Sequence, residues 1–287
     1  MKKFAAVALL MSLHISGMAQ SSITTCKDHG EAHFVFLDDF NYGSTKVGES
    51  VIVAEYDYTM VSDTLLNTII TDPYVLQISP ALSKFSHRGK YTFDNGVDSV
   101  TVNNKQLIVF ETKCFKKGYY PFIFDSWIAD LSSGEYTFTG RLAAEDYMIK
   151  TPASTIEWRM TGETKQISGY SASLAEGEIE GDTWSVWYTE DVPVSAGPWK
   201  ISGLPGLVLS ASDRRGTHGF EMTSIKDATE PIVLSDYQYI KTTDEKYQKL
   251  LDQLFSDFDD FSSTHNRNSI KLEGNKEKRP LFKPLSR

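Results

Sequence analysis

Apolar and polar side chains alternate in many short segments of this chain, which predicts a protein built mainly of β-strands. Residues 51–60, 134–142, 155–160 and 182–190 each place an apolar side chain at about every second position. Residues 106–115 are more continuously apolar, which is typical of a strand that is covered on both faces. Polar clusters rich in glycine separate these segments and predict tight turns between antiparallel strands.

One segment near the C-terminus has the period of a helix instead. Thr242 and Glu245 fit a capping box, with Thr242 as the N-cap residue. Apolar side chains then follow at helical spacing, at Tyr247, Leu250, Leu251, Leu254 and Phe258. The predicted fold class is therefore mainly β, a curved antiparallel sheet or part-closed barrel or sandwich with one C-terminal amphipathic helix.

The first nineteen residues are typical of an export signal. Lys2 and Lys3 precede a short apolar run, and small side chains before Gln20 favour cleavage at that point. No later segment is long and apolar enough to span a bilayer. We expect a signal peptide over residues 1–19, a single domain over residues 20–287, no transmembrane segment after processing, and a location in the periplasm, on the cell surface or outside the cell.

Charge and motifs exclude several classes of function. The chain carries a formal charge of −9, and loss of Lys2 and Lys3 with the leader makes it two units more negative. Binding to nucleic acid without sequence preference needs clustered cations, so no nucleic-acid partner is expected. The sequence has neither a glycine-rich phosphate loop nor a dinucleotide fingerprint, so no cofactor is predicted.

The segment from residue 197 to 207 is unusually constrained. Its backbone-shaping residues are Gly197, Pro198, Trp199, Gly203, Leu204, Pro205 and Gly206. Proline followed by glycine is typical of a type II turn, in which Gly206 would take a positive φ. The segment therefore predicts a sharp re-entry into a sheet, with little room for side chains at the glycines.

These residues also resemble the core of the GLPGLI family, also called the Porph_ging family, of exported proteins from Bacteroidetes-type bacteria. The resemblance rests on Gly169-Tyr170, residues 184–188, Asp191-Val192-Pro193, Gly197-Pro198-Trp199 and residues 203–208, with weaker likeness at residues 76–78, 83–85 and 283–285. Val208 stands where the family has isoleucine, and Ala172 stands near a position that is often cysteine. The resemblance implies a leader-bearing, β-rich exported protein, and it implies no activity and no catalytic residues.

Two groups of side chains are candidates for binding or catalysis. Cys26, His29 and His33 are spaced as ligands of zinc or copper, although they precede a segment with strand character. Two states are open for Cys26: a disulfide with Cys114 in an oxidising compartment, or a free thiol.

The second group is aromatic. Trp184, Trp187, Tyr188 and Trp199 fall within sixteen residues and would either line a cavity for an apolar or glycan-like ligand or fill the core of a sheet. Alternation places Trp184 and Trp187 on opposite faces, so only part of the set can line one cavity. The alternating carboxylates Glu176, Glu178 and Glu180 favour an exposed acidic hairpin over an acid–base pair.

Three functions remain open from the sequence. The first is a non-enzymatic envelope protein that binds an apolar small molecule or another envelope protein. The second is a metal-dependent hydrolase that uses the segment from Cys26 to His33. The third is an interaction module in which an open sheet edge pairs with a partner.

Overall fold

The computed structural model describes residues 44–63, 68–95, 125–142 and 145–256, together with the backbone of residues 23–24, 32–37, 99–102 and 105–111. Residues 1–19, Cys26, His29, Cys114 and Phe258 lie outside these residues, and only the backbone of His33 lies within them. The strands of the main sheet are, in chain order, β4 (Ile52–Asp63), β5 (Thr68–Ile78), β6 (Leu82–His87), β9 (Ser126–Asp130), β10 (Glu135–Leu142), β11 (Glu145–Pro152), β12 (Arg159–Ile167), β13 (Tyr170–Ile179), β14 (Asp182–Thr189), β15 (Leu207–Asp213), β16 (His218–Asp227) and β18 (Ile240–Lys241).

These 12 strands form one curved, open sheet in the order β12-β13-β14-β15-β16-β4-β5-β6-β9-β10-β11-β18. Every neighbouring pair is antiparallel except β11 with β18. Two smaller sheets accompany it: β1 (Ile23–Thr24), β2 (Ala32–Leu37), β8 (Lys105–Glu111) and β7 (Ser99–Val102) form one, and β3 (Ser44–Glu49) with β17 (Pro231–Ser235) forms the other. The predicted fold class, mainly β with a curved antiparallel sheet, is confirmed.

Two helices are described, α1 (Arg88–Asp94) and α2 (Asp244–Ser256). The predicted C-terminal helix is confirmed as α2, but its N-cap is Thr243, whose hydroxyl accepts a hydrogen bond from the Lys246 amide at 3.4 Å. The helix thus begins one residue later than the capping box predicts. The short α1 was not predicted from the sequence. In the part of the chain that the structure describes, neither helix has the length and apolar character needed to cross a membrane.

One aromatic core fills the inner face of the sheet. Trp184 lies 5.4 Å from Trp199 between ring centroids and 6.1 Å from Phe220, and Phe220 in turn packs on Phe85. The chain of rings continues through Trp127 and Phe138 to Tyr247 of α2. Tyr247, Leu251 and Leu254 are buried, so α2 closes this core through its apolar face.

The expected strand over residues 155–160 is largely wrong, because β12 begins only at Arg159. Ile156 and Trp158 cover Gly177 of β13, where a Cβ atom would lie 2.8 Å from either side chain. The alternation of these apolar residues therefore reflects packing onto a neighbouring strand and not pairing within the sheet.

A set of buried charges, which we call the buried clamp, lies on the opposite face of the sheet. Phe85 points into the aromatic core, so its neighbour Lys84 points to the other side. Lys84 and Lys90 share the carboxylate of Asp94, and all three side chains are no more than 2% exposed. Lys84 Nζ also donates to the Val233 carbonyl at 2.8 Å, and Lys90 Nζ donates to Ser235 Oγ at 2.7 Å. The clamp therefore ties α1 and β17 to the main sheet.

Candidate functional site

A cleft of about 300 Å³ opens where the β13–β14 hairpin, β10, β11, the constrained segment and the start of α2 meet. It is lined by Tyr136, Thr151, Pro152, Ser154, Ile156, Glu178, Ile179, Glu180, Lys200 and Asp244. Seven of the ten lining residues carry a hydroxyl, carboxylate or ammonium group, but apolar atoms supply somewhat more of the exposed lining than polar atoms do. Such a mixture suits a polar ligand that also has an apolar face.

Lys200 lies at the electrostatic centre of the cleft. Its ammonium is 2.7 Å from Oε1 of Glu180 and 3.9 Å from Oδ2 of Asp244. The Lys200 side chain is 14% exposed, whereas those of Glu180 and Asp244 are 38% and 28% exposed. One cation thus lies between two carboxylates that remain accessible to solvent.

The constrained segment holds Lys200 in place through its backbone. Trp199, directly before it, adopts a left-handed conformation with φ 55° while its ring is buried against Trp184. The Ile201 amide donates to the Pro198 carbonyl at 3.1 Å, which closes a turn around Lys200. A non-glycine residue with positive φ carries a conformational cost, so the packing of Trp199 fixes where Lys200 points.

A tight hairpin turn presents Glu180 to Lys200. Glu180 and Gly181 have φ values of 53° and 80°, and Ile179 pairs directly with Asp182. Two central residues with positive φ define a type I′ turn, which matches the twist of the flanking strands. Glycine adopts this conformation easily, whereas glutamate does not, so the position of Glu180 is determined by the hairpin and by its ion pair.

Tyr136 lines the cleft near Lys200 and is anchored to Ser202 of the constrained segment. The Tyr136 hydroxyl donates to Ser202 Oγ at 2.8 Å and approaches the Lys200 carbonyl at 3.4 Å. Burial raises the pKa of Tyr136, so the hydroxyl remains a hydrogen-bond donor. Trp158 Nε1 donates to the Ser202 carbonyl at 2.8 Å and secures the segment from the side of β12.

The glycines of the constrained segment have different roles from those expected. Gly203 adopts a positive φ of 87°, whereas Gly206 does not, so the predicted type II turn at Pro205-Gly206 is wrong. Gly206 is instead required by a close approach of backbones, since a Cβ atom there would lie 1.9 Å from the Thr189 carbonyl oxygen. A Cβ atom at Gly197 would lie 2.7 Å from Val208. The predicted lack of space is confirmed at Gly197 and Gly206.

The aromatic residues proposed to line a ligand site lie mostly in the core. Trp184, Tyr188 and Trp199 are each less than 5% exposed. Trp187 lies on the other face of β14, partly buried, with the Lys165 ammonium 4.0 Å from its ring centroid. The two faces are thus as predicted, and none of the four side chains belongs to the lining of the cleft described above. A role for them in ligand binding stays a prediction.

The metal-dependent alternative has no structural support. Among the residues whose side chains are described, no group of three or more histidine, cysteine, aspartate or glutamate residues could hold a metal ion. Cys26 and His29 lie outside the described residues, and the side chain of His33 is not described. A disulfide between Cys26 and Cys114 lies outside them as well.

The sequence pattern predicts part of the cleft but not its centre. The acidic hairpin was correctly placed, and the structure separates its members: Glu176 pairs with Arg159, while Glu178 and Glu180 face the cleft. The role of Lys200 in the cleft is not evident from the sequence, because the residues around it indicate only the shape of the backbone. The sequence does contain one signal for Lys200: it is a lysine next to a tryptophan, inside a segment rich in glycine and proline.

Comparisons with known proteins locate the chain in a family. A family model described as N-glycanase peptide, N-terminal domain, matches residues 84–254, which include every residue of the cleft. A solved structure of PNGF-II in space group P21 has 17% identity and a TM-score of 0.47, and covers 69% of this chain. A second, in space group C2, has 18% identity and a TM-score of 0.44, and covers 68% of this chain. The match spans only 32% and 31% of those two proteins, and no curated protein matches.

The family match corrects two expectations. The GLPGLI (Porph_ging) identification is wrong, because the matching model is that of the N-glycanase domain, and the bacterial source it implied loses its basis. The hypothesis of a non-enzymatic envelope protein for an apolar small molecule is also wrong, since the matched family is that of an N-glycanase. The family model covers well over half of the chain, from β6 to α2, and this protein therefore belongs to the family of N-glycanase N-terminal domains.

Proposed function

We propose that this chain acts in N-glycanase-type processing of glycoproteins and that the cleft at Lys200 holds the carbohydrate of an N-glycosylated polypeptide. The observation that carries the proposal is a cleft with a mixed polar and apolar lining and a central ammonium, built entirely from residues of the matched family region. The partner of the chain is then a glycoprotein, and not an apolar small molecule.

The chemistry of the lining suits a sugar. Carboxylates accept hydrogen bonds from hydroxyl groups, and an ammonium donates to hydroxyl or ring oxygens. Glu180, Lys200 and Asp244 present both kinds of group within one cluster. Ile156 and Pro152 add apolar surface for the C–H face of a sugar ring. Hydrogen bonds to charged groups are the stronger ones, so this cluster would carry much of the binding free energy.

The size of the cleft limits what it holds. A volume of about 300 Å³ is at the lower end of small-molecule sites, so the cleft suits a short part of a glycan and not an extended chain. We assign the cluster of Lys200 and its two carboxylates to binding the ligand. Hydrolysis of the bond between glycan and polypeptide is proposed for N-glycanase-type processing as a whole, and not for this cluster.

Binding of a fluorescent N-glycopeptide to the purified protein tests the proposal. We expect saturable binding of the glycopeptide and no comparable binding of the same peptide after removal of its glycan. Lys200→Met keeps most of the length of the side chain but removes its charge, and should weaken binding about tenfold or more. Lys249→Met is the matched control, because Lys249 forms an exposed ion pair with Glu245 outside the cleft.

Equal affinity for the two peptides would overturn the proposal. So would equal loss of binding in the two lysine variants. Release of free glycan from the bound glycopeptide, measured in the same samples, would assign the hydrolysis to this chain as well.

We also propose that the protein is exported, because residues 1–19 resemble a signal peptide and N-glycosylated proteins occur in secretory or extracellular compartments. Sequencing of the N-terminus of the protein from cell fractions tests this. A protein that begins at Gln20 in an extracytoplasmic fraction is the expected result, and an uncleaved cytosolic protein would contradict it.

A further inference from the structure

The charges that face the cleft are unbalanced. Glu178, Glu180 and Asp244 contribute three carboxylates, and Lys200 contributes the one ammonium among the lining residues. Lys200 already lies beside Glu180 and Asp244, so a ligand that enters meets a cation whose charge is compensated. A neutral sugar hydroxyl is not repelled by the excess of carboxylates, whereas a carboxylate or phosphate on the ligand is repelled by it.

Neighbouring ion pairs do not restore the balance. Lys150 pairs with Glu135 at 2.7 Å on the strands that flank the cleft, and Arg215 pairs with Asp182 next to the hairpin turn. Each of these pairs is neutral as a unit. The whole chain is negative as well, with a formal charge of −9, so its long-range field also opposes the approach of an anion.

We propose that the cleft selects neutral glycans and rejects glycans that carry acidic groups near the bound sugar. This inference rests on the proposed function and adds the class of glycan to it. Glu178 is the carboxylate outside the Lys200 cluster, and it adds to the one net negative charge that the cluster keeps with one ammonium and two carboxylates. At surface positions each unit charge a few ångströms away changes affinity by several-fold. Three carboxylates against one ammonium leave the lining residues two net negative charges, which predicts a discrimination of about tenfold at low salt.

The test compares a sialylated N-glycopeptide with the same glycopeptide after enzymatic desialylation. We expect the neutral form to bind about tenfold more tightly in 20 mM salt, and the ratio to shrink towards one in 1 M salt, where exposed charges are screened. Glu178→Gln should narrow the low-salt ratio. Glu221→Gln, on an exposed position of β16 outside the cleft lining, is the charge-matched control and should leave the ratio as it is.

Equal affinity for the two glycopeptides at low salt, tighter binding of the sialylated form, or a ratio that Glu178→Gln and Glu221→Gln change equally would overturn the inference while leaving the proposed function in place. Failure of both glycopeptides to bind better than the glycan-free peptide would overturn the proposed function itself. The two failures are therefore distinguishable in one series of titrations.

Discussion

Two lysine–carboxylate clusters within the described part of the chain differ in stoichiometry and in exposure. In the buried clamp, Lys84 and Lys90 share Asp94, and the three side chains are almost fully buried. In the cleft, Lys200 lies between Glu180 and Asp244, and all three side chains retain contact with solvent. Charges that are fully desolvated must find all their partners within the protein, whereas half-exposed charges can exchange water for a ligand. The first cluster therefore serves the fold, and the second is available for binding.

The largest effect is expected at the centre of the buried clamp. Asp94→Asn removes the buried carboxylate that Lys84 and Lys90 share, and should lower the free energy of unfolding by about 3–5 kcal/mol. Urea titration followed by tryptophan fluorescence measures this. Glu245→Gln removes one partner of an exposed ion pair on α2 and should leave the unfolding curve unchanged. A loss below about 1 kcal/mol for Asp94→Asn would remove the contrast between the clusters.

A fall in pH should lower the free energy of unfolding through the buried side chain of His87. Burial, and secondarily the charge of Arg88, lowers the pKa of His87 from 6.5 to about 3. As the pH falls from 6.5 towards 3, the unfolded chain takes up a proton that the folded protein refuses, so the free energy of unfolding declines. The decline attributable to His87 is about 3 kcal/mol between pH 7 and pH 4. Urea titrations at pH 7 and pH 4 should show a smaller decline for His87→Gln than for the unaltered protein, and parallel declines would contradict the assignment.

Two glycines of the same segment separate steric contact from backbone strain. Gly206→Ala places a Cβ atom against the Thr189 carbonyl and should cost about 3 kcal/mol of stability. Gly203→Ala meets only Trp158 at 3.4 Å but must hold a φ of 87°, which should cost about 1 kcal/mol. Equal losses in urea titrations would mean that the segment relaxes, and that Lys200 is held less rigidly than the structure shows.

The smallest effect on stability is expected in the cleft. Lys200→Met removes a partly exposed ion pair and should change the free energy of unfolding by less than about 1 kcal/mol, although it weakens glycan binding. Urea titration measures the stability, and the glycopeptide titration measures the binding. A loss of stability comparable to that of Asp94→Asn would show that the Lys200 cluster is a second structural clamp.

The fold was predictable where local pattern and tertiary contacts agree. The alternation in residues 51–60, 134–142 and 182–190 corresponds to β4, β10 and β14, because one face of each strand meets the aromatic core. At Ile156 and Trp158 the alternating pattern does not correspond to a strand. They alternate as a strand would, but they pack on Gly177, and the sequence does not reveal that partner.

The cleft was less predictable than the fold. Its residues come from positions 136 to 244, and only the topology of the sheet brings them together. The buried clamp was missed for the same reason, since nothing in the local pattern reveals that Lys84 and Lys90 are buried around Asp94. The constrained segment was found because glycine, proline and tryptophan restrict the backbone locally. Its functional meaning depends on Lys200, whose partners are distant in the chain.

Hydrogen–deuterium exchange of the protein with and without an N-glycopeptide tests the central claim most directly. If the cleft holds the glycan, the glycopeptide should slow amide exchange in residues 176–182 and 197–206, and should leave residues 84–94 of the buried clamp unchanged. Slowed exchange confined to other parts of the sheet, with no change around Lys200, would contradict the account.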